Sequence, residues 1–570
     1  MVQIKTITQG DFVNGISNEI NKGSFWFCKD LDIDTRNPFV LPSYKLFLEN
    51  KSENNPILDE IFSSTIFDGK IVATNKSAEK IIYKGTNNWD TLHTMTGVTN
   101  ALGVCGDTDK SSGTEVGKLY YASNSHAGMY AAGGLWTDNW QAFTVSNDGA
   151  RVPILKFLKY MCFGNKNYLA TWDIGSSAWN AARLTLPLGY NITWMKAKTD
   201  YLVICAHHDL NGSMLFLWDG DATTYNLAIP LGNVKSYGAD MQNDEIYTIT
   251  SDGWISRLAS NSYLEKQCRL PDFSDSEFID YSIYPDAIKF YQGLLLIGLN
   301  GWSTLAKRYM FGGIWAFNPL TKSIYHKHSI SSGEVTGRTI TSILPNDLTN
   351  SILRIVWTDG TNYRVDVMDN DGALNVITEG AILVTDMIDC GDPAIGKRFK
   401  MFILNFLRQL SNNASEKIIV RCNTSEKYVK KVVSVVSGST NYFVLTGSNS
   451  LDVNVGDEVV ISEGDGAGNI RNIIAKEASG ANWKYTVDSA LSSNKEYSSS
   501  TYLAISEFFK IEPEILGSEN INATHRILRF MKRSRKIQFK IEFCNPPSQT
   551  ESKTGLANWS LAFIKDVILK

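Results

Sequence analysis

The sequence predicts an all-β protein: an irregular β-propeller of about seven blades, then a β-sandwich that carries a small inserted SH3- or OB-like barrel. Three observations predict it: short apolar alternations bounded by turn signals, a repeat of about 40–50 residues, and the end of that repeat near residue 381. Alternation is the period of a half-buried strand, and no stretch keeps the period of a helix. Aromatic residues, 11% of the chain, also favour strands.

Asp-Gly pairs separate many of the alternating segments. Glu245 to Thr250 alternates, Asp252-Gly253 turns the chain, and Trp254 to Leu258 alternates back. Asp359-Gly360 and Asp371-Gly372 stand between similar segments. Because Asp-Gly readily adopts the positive φ angles of a tight turn, these pairs predict antiparallel hairpins.

Two Trp-Asp pairs, Trp172-Asp173 and Trp218-Asp219, mark the repeat. They are 46 residues apart, and each is followed by an aromatic-Asn pair, Trp179-Asn180 or Tyr225-Asn226; a looser copy begins at Trp315. This spacing is typical of propeller blades of four short strands. We therefore predict that the two tryptophans are structural and pack between blades, and that the two aspartates bond the following turns.

The repeat predicts seven blades, with six or eight as alternatives, in a closed ring. The blades are expected near residues 56–95, 96–147, 150–188, 190–232, 234–271, 284–331 and 338–380. The expected units are an N-terminal segment (1–55), the propeller (56–380), a sandwich (381–430 and 506–570) and an inserted barrel (431–505). The N-terminal segment is expected to close the ring or to pack as an arm on a neighbour.

Bulk composition narrows the class of protein. A net charge of −4 gives no general attraction to nucleic acid or to an anionic membrane. The eight cysteines form no CxxC pair, and several lie in apolar runs, as Cys205 does, which predicts buried free thiols; a disulfide or zinc framework is the minor alternative. We expect no signal peptide and no transmembrane segment, because the first fifteen residues lack an apolar core and the longest apolar runs are short.

Three segments contain residue types that occur in chemical sites. Thr171 to Ser177 resembles the Asp-box of sialidase-type propellers, but no arginine cluster or nucleophile pair accompanies it. Adjacent His207 and His208 point to opposite faces of a strand, which disfavours a shared metal. Asp107 to Glu115 has the acidic alternation of a calcium loop with its glycine one place late, which favours a solvated loop. The sequence therefore predicts no catalytic residue, no metal ligand, no cofactor and no enzymatic activity.

One charged segment near the C-terminus is a candidate interface. Its basic residues, which stand close together beside Phe530, are Arg526, Arg529, Lys532, Arg533, Arg535 and Lys536. An ordinary solvated sheet face is one interpretation. The functional interpretation is a contact surface for an acidic partner subunit or, less favoured, for a nucleic acid backbone.

The layout also resembles a known family. Phe12 to Gly15, Leu31 to Asp34 and Arg36 to Pro38 precede the propeller, and the sandwich opens at Gly391 to Pro393 and Gly396 to Phe399. In this arrangement the chain resembles propeller-bearing virion proteins of tailed bacteriophages, notably tail-hub, nozzle or "muzzle" proteins of short-tailed phages. The resemblance covers most of the chain and implies a ring-forming tail component that closes the DNA channel and holds fibres.

The expected function follows from that resemblance. The protein would be a structural part of a phage tail, assembled in the host cytoplasm and located in the virion. Its partners would be further copies of itself and other tail proteins, with a host-surface glycan as an additional candidate and DNA contact only incidental through the channel. The alternative is a carbohydrate-binding propeller that uses exposed Trp and Tyr at blade tops, and a degenerate glycosidase is a third.

Overall fold

All regular elements of the structure are β-strands. The computed structural model describes residues 5–9, 15–16, 24–25, 27–33, 40–49, 60–85, 89–109, 116–131, 134–259, 263–270, 278–303, 311–332, 338–344, 352–370, 373–374, 380–390, 397–406, 416–424, 429–465, 469–491, 495–516, 525–544 and 556–565. Within these ranges there is no helix that could span a membrane. The all-β prediction is confirmed.

The N-terminal segment contributes seven short strands. These are β1 (Lys5–Gln9), β2 (Gly15–Ile16), β3 (Ser24–Phe25), β4 (Phe27–Lys29), β5 (Leu31–Ile33), β6 (Val40–Pro42) and β7 (Phe47–Leu48). Strands β2 and β3 pair with each other, and the remaining five join sheets formed by distant parts of the chain. Phe12, Trp26 and Arg36 to Pro38 lie outside the described residues.

The first three blades are four-stranded antiparallel meanders. They comprise β8 (Ser64–Phe67), β9 (Lys70–Asn75), β10 (Lys80–Lys84) and β11 (Trp89–Thr94); β12 (Gly103–Asp109), β13 (Val116–Ala122), β14 (His126–Ala131) and β15 (Leu135–Ala142); and β16 (Ile154–Phe157), β17 (Tyr160–Asn165), β18 (Tyr168–Asp173) and β19 (Ala178–Thr185). The first strand of each blade contacts the first strand of the next, so these strands surround the propeller axis.

The next three blades repeat this order. They comprise β20 (Asn191–Ala197), β21 (Leu202–His208), β22 (Gly212–Trp218) and β23 (Leu227–Pro230); β24 (Ser236–Gln242), β25 (Glu245–Thr250), β26 (Trp254–Leu258) and β27 (Leu264–Arg269); and β28 (Phe278–Tyr291), β29 (Leu294–Ser303), β30 (Phe311–Asn318) and β31 (Ser323–His328). At the turn between β25 and β26, Gly253 has a φ of 81°, which is the positive angle that an Asp-Gly pair predicts. The sixth blade begins at Phe278, earlier than the repeat suggests.

The seventh blade takes its fourth strand from the N-terminal segment. Its own strands are β32 (Thr339–Ile343), β33 (Arg354–Thr358) and β34 (Tyr363–Val367), and β7 pairs with the outer edge of β34. A seventh blade made only from residues 338–380, and a propeller that begins at residue 56, are therefore corrected. A two-residue strand has no visible alternation, so the sequence pattern could not reveal it. A small hairpin follows, formed by β35 (Asp369–Asn370) and β36 (Ala373–Leu374).

Apolar layers between successive blades close the ring. One buried cluster joins Val72 and Ile81 of the first blade to Leu119 of the second, and similar clusters follow around the ring. The last cluster joins Val356 of the seventh blade to Trp89 of the first. Because each sheet is covered on both faces by its neighbours, the blades become stable only together.

The C-terminal part is a sandwich of two sheets. Its strands are β37 (Ala381–Val384), β38 (Lys397–Phe406), β39 (Lys417–Asn423), β47 (Phe509–Leu516), β48 (His525–Ser534), β49 (Gln538–Cys544) and β50 (Leu556–Lys565). One sheet has the order β48-β38-β50-β6-β5 with β1 beside β50, and the other β4-β37-β49-β39-β47. The rings of Phe402 and Phe539 stack between the sheets, with centroids 3.8 Å apart.

The inserted unit is a small barrel with its own core. Its strands are β40 (Val429–Ser434), β41 (Ser437–Gly438), β42 (Tyr442–Thr446), β43 (Glu458–Glu463), β44 (Ile470–Ser479), β45 (Asn482–Val487) and β46 (Tyr502–Ser506), in the order β40-β46-β43-β44-β45-β42-β41. Since β40 and β41 are consecutive in the chain, this order brings the two ends of the sheet together. Phe443, Ile461 and Tyr485 are among the buried side chains inside it.

Candidate functional site

In both Trp-Asp turns the aspartate carboxylate accepts hydrogen bonds from the backbone of the turn that follows. The Asp173 carboxylate accepts hydrogen bonds from the N–H groups of Gly175 and Ser176, at 3.0 and 3.1 Å. The Asp219 carboxylate accepts from the N–H groups of Asp221 and Ala222, both at 3.0 Å. Each carboxylate therefore replaces the backbone partners that a tight turn lacks, and is committed to that turn.

The two tryptophans lie between blades but differ in burial. Trp218 is fully buried and lies 6.0 Å, by ring centroids, from Tyr160 of the preceding blade. Its indole N–H donates to the Ala222 carbonyl at 2.7 Å. Trp172 is only half-buried and packs edge-on against Trp140 of the second blade at 4.5 Å. The same motif therefore places one ring in the core and the other nearer the surface.

The other sequence candidates are separated or engaged in local contacts. The His207 ring lies 3.1 Å from the Ser213 hydroxyl, whereas His208 accepts from the Leu210 N–H at 3.0 Å. Residues 110–115 of the calcium-like loop lie outside the described ranges, and Asp107 forms an ion pair with Lys156. In the described part of the chain, no group of three or more His, Cys, Asp or Glu could hold a metal ion.

The cysteines are free thiols. All eight are unpaired with one another, and Cys28, Cys162, Cys205, Cys390 and Cys422 are buried. Burial raises the pKa of Cys205 to about 12 and that of Cys422 to about 11. Such thiols are protonated near neutral pH and poorly nucleophilic, so they behave as small apolar core residues.

A polar cavity of about 270 Å³ lies at the propeller axis. Asp286 of β28 lines this cavity. Its carboxylate accepts hydrogen bonds from Arg151 at 2.9 Å, from Ser342 at 2.6 Å and from Ser64 at 3.1 Å. Ser342 belongs to the seventh blade and Ser64 to the first, and Arg151 lies just before the first strand of the third. A single carboxylate therefore ties four blades together, and the sequence carried no signal for it because the partners are far apart in the chain.

Strand alternation divides the basic C-terminal segment into two faces. On β48, Ile527, Arg529, Met531 and Arg533 are exposed, and the intervening Leu528 is buried. The exposed fraction is 48% for Ile527 and 69% for Met531. We call the four exposed residues, together with Arg535, the basic–apolar face. Two large apolar side chains between guanidinium groups make this face both apolar and basic.

The three remaining basic candidates are not fully on this face. Arg526 and Lys532 of β48 are partly buried because they alternate with the exposed set, and Lys536 is partly buried after the strand ends. All three, like Arg533, have further contacts within the chain. Of the six candidates named from the sequence, the structure thus leaves Arg529, Arg533 and Arg535 exposed together.

The face continues onto the neighbouring strand. Arg398 of β38 is exposed and lies opposite Arg533, while Met401 lies opposite Arg529. Among the described strands β48 pairs only with β38, so it is an edge strand of its sheet. The result is a two-strand surface on which basic and apolar side chains alternate.

A buried charge cluster joins the inserted barrel to the sandwich. Lys540 of β49 forms ion pairs with Glu458 of the barrel and with Glu542, the latter at 3.1 Å. Arg421 of β39 forms an ion pair with Glu542 at 3.2 Å and donates to Asn472 of the barrel at 2.5 Å. Burial would raise the pKa of Glu542, but Lys540 and Arg421 outweigh it and hold that pKa below its usual value. The cluster has no signature in the sequence, because Arg421, Glu458 and Lys540 lie far apart in the chain.

Comparison with known proteins gives this chain no family name. No family model and no curated protein matches it. Similar solved structures include the computationally designed Ika8 protein (10% identity, TM-score 0.35, 54% of this chain and 96% of that one). They also include Raptor of Chaetomium thermophilum (11%, 0.38, 57% and 29%) and the extracellular domain of the putative hybrid two-component system BT4673 of B. thetaiotaomicron (12%, 0.39, 65% and 45%). Likenesses this distant assign neither an activity nor a partner.

Proposed function

We propose that this protein is a structural component of a bacteriophage tail, a hub- or nozzle-type subunit of a homo-oligomeric ring, and that the basic–apolar face docks an acidic neighbour. The observation that carries the proposal is the combination on one edge strand of exposed Ile527 and Met531 with exposed Arg529 and Arg533. The layout resemblance to tail-hub, nozzle or muzzle proteins supports the choice of assembly.

The composition of the face suits a protein interface. Arg and Met are enriched in protein–protein contacts, where apolar side chains supply buried area and guanidinium groups bind carboxylates in a fixed geometry. A water-exposed methionine loses its unfavourable hydration when a partner covers it. An interface of this kind buries on the order of 2,000 Å², which requires that neighbouring strands such as β38 take part.

The charge distribution supports contact between copies as well as with unlike subunits. The whole chain carries 55 Lys and Arg against 59 Asp and Glu, yet this face is basic. The rest of the chain therefore carries more carboxylates than cations, and we propose that a neighbouring copy presents some of them to this face. A head-to-tail contact between a basic and an acidic patch is the kind of interface from which rings are built.

The test reverses charge on the face without touching the core. The variant Arg529→Glu, Arg533→Glu, Arg535→Glu should fold as the wild type does and fail to assemble. Assembly is measured by mass photometry of the purified protein with co-expressed tail proteins, and by incorporation into particles in producing cells. Wild-type association should also weaken as ionic strength rises, because charge pairs near a surface are screened.

A matched variant separates local charge from total charge. Lys70→Glu, Lys235→Glu, Lys266→Glu reverses three exposed lysines of the propeller and changes the net charge by the same amount. We expect it to assemble normally. Normal assembly of the arginine variant, or a wild type that remains a free monomer in producing cells, would contradict the proposal.

A further inference from the structure

The inserted barrel has an exposed apolar patch on its outer surface. Val432 of β40 is 42% exposed, and Val436, two residues beyond the end of that strand, is 40% exposed. Val433 and Val435 belong to the buried core of the barrel, so the exposed valines point outwards. Tyr502 of β46 pairs with the residue midway between the two exposed valines and is itself 41% exposed. The three side chains therefore share one face of the barrel.

Two carboxylates lie beside this patch. Glu463 of β43 is exposed and is the cross-strand partner of Tyr502, on the side away from β40. Cross-strand partners present their side chains to the same face of a sheet. Asp465, two residues further along, is also exposed, and neither carboxylate forms an ion pair with another described residue. We call Val432, Val436, Tyr502, Glu463 and Asp465 the acid–apolar face.

The cations of the same strand do not neutralise this face. Lys430 and Lys431 of β40 reach to the loop at 451–457, where they contact backbone carbonyl groups and a carboxylate. Lys495 is followed directly by Glu496, so the charges of these two residues offset each other. The two carboxylates of the acid–apolar face therefore give it a net negative charge.

The acid–apolar face complements the basic–apolar face of the sandwich. Ile527 and Met531 are exposed on the basic–apolar face, and each apolar set loses its contact with water when the other covers it. The exposed guanidinium groups of Arg529 and Arg535 are opposite in charge to the two carboxylates, and arginine binds a carboxylate through two parallel hydrogen bonds. Charges placed in this way favour one docked orientation over others.

The position of the two faces indicates which molecule supplies the partner surface. They belong to different units of the chain, and both are exposed in a single copy, so they do not cover each other. A contact between them joins the barrel of one copy to the sandwich of another. Such a head-to-tail contact repeats from copy to copy and closes a ring when the rotation between copies allows it.

We propose that the acid–apolar face of one copy docks on the basic–apolar face of the next copy. The inference rests on the proposed function, to which it adds the partner of the basic–apolar face: a second copy of this chain, which makes contact through its inserted barrel. The carboxylates of Glu463 and Asp465 accept hydrogen bonds from the arginines of β48 and the turn that follows it. Tyr502 and the two valines cover Ile527 and Met531.

A charge exchange between copies tests the pairing. The barrel variant Glu463→Arg, Asp465→Arg should fold as the wild type does and lose self-association, because both of its faces are basic. The sandwich variant Arg529→Glu, Arg533→Glu, Arg535→Glu should lose it as well, because both of its faces are acidic. An equimolar mixture of the two should associate again, since each contact then joins a basic face to an acidic one. Sedimentation velocity measures association, and circular dichroism checks the fold.

A matched variant controls for total charge. Asp90→Arg, Asp200→Arg reverses two exposed carboxylates of the propeller and should associate as the wild type does. Normal association of the barrel variant, with loss only in the sandwich variant, would overturn this inference and leave the proposed function standing with a different partner. Normal association of both variants, or a wild type that does not self-associate, would overturn both. A mixture that stays dissociated would show that the two faces do not pair.

Discussion

At the residue scale, the tryptophans of the two Trp-Asp motifs are buried to different extents. Trp218 fills the space between two blades and satisfies its indole N–H through Ala222, whereas Trp172 remains partly in water. In both copies of the motif, the aspartate bonds the following turn in the same way. Burial depends on the neighbouring blade, which presents Phe157 and Tyr160 to Trp218.

This difference predicts unequal effects of truncation. Trp218→Ala should lower the free energy of unfolding by about 3–5 kcal/mol, because it removes a large ring from a closed core and leaves a cavity. Trp172→Ala should cost less, since water already reaches that ring. Urea denaturation followed by circular dichroism measures both. A Trp172→Ala penalty equal to or above that of Trp218→Ala would show that burial does not control the contribution of this motif.

At the element scale, strand β31 joins the propeller to the N-terminal segment through buried polar groups. His328 donates from Nδ1 to the Tyr44 carbonyl at 2.8 Å, and His326 accepts from the Asp30 N–H at 3.1 Å. On the same strand Lys327 forms an ion pair with Asp32 at 2.7 Å. Both histidines are therefore buried in the neutral form.

This arrangement predicts that stability falls in mild acid. Burial, with Lys327 nearby, lowers the pKa of His328 to about 3, and burial lowers that of His326. In the unfolded chain the two imidazoles protonate near pH 6.5. Below that pH the unfolded chain therefore binds protons that the folded chain excludes. The stability that comes from burying the neutral imidazoles is therefore complete above pH 6.5, and it is lost as pH falls towards 3. Urea midpoints between pH 5 and 7 should rise with pH.

Two variants locate that pH dependence. His328→Gln should show a smaller rise of the urea midpoint with pH than the wild type, because it removes one of the two buried imidazoles. His126→Gln, in the second blade, leaves β31 intact and should keep the wild-type slope. A His328→Gln slope identical to that of the wild type would exclude this histidine as a source.

At the scale of the whole molecule, one N-terminal residue links the two blades at which the ring closes. Glu49 follows the closing strand β7, and its carboxylate lies 2.9 Å from Nε of Arg354 in the seventh blade. It also accepts from the Trp89 indole N–H at 3.1 Å and lies 3.6 Å from the Lys84 ammonium, both in the first blade. Ring closure thus depends on a partly buried charge as well as on the apolar layer beneath it.

Neutralising this charge should open the ring locally. Glu49→Gln should destabilise the protein by on the order of 3 kcal/mol, because it leaves the largely buried guanidinium of Arg354 without its anion. Hydrogen exchange should accelerate at β34 more than at strands of the third blade. Asp148→Asn breaks an exposed pair with Lys166 and should change stability by less than about 0.5 kcal/mol. Equal effects of the two substitutions would contradict a special role for Glu49.

The sequence by itself determined the local structure of this protein: strands from alternation, hairpins from Asp-Gly pairs, and turns held by Asp173 and Asp219. These depend on residues close in the chain, so their pattern is visible without a fold. The alternation also separates Arg529 and Arg533 from Leu528, although the grouped basic residues concealed that division.

Only the tertiary structure decided which distant groups meet. Phe47 and Leu48 complete the seventh blade, Asp286 ties four blades across the axis, and Lys540 turns inward to Glu458 of the barrel. The physical reason is that ring closure and sheet pairing bring together residues hundreds of positions apart, and whether a charge stays on the surface or enters an ion pair depends on what it meets there.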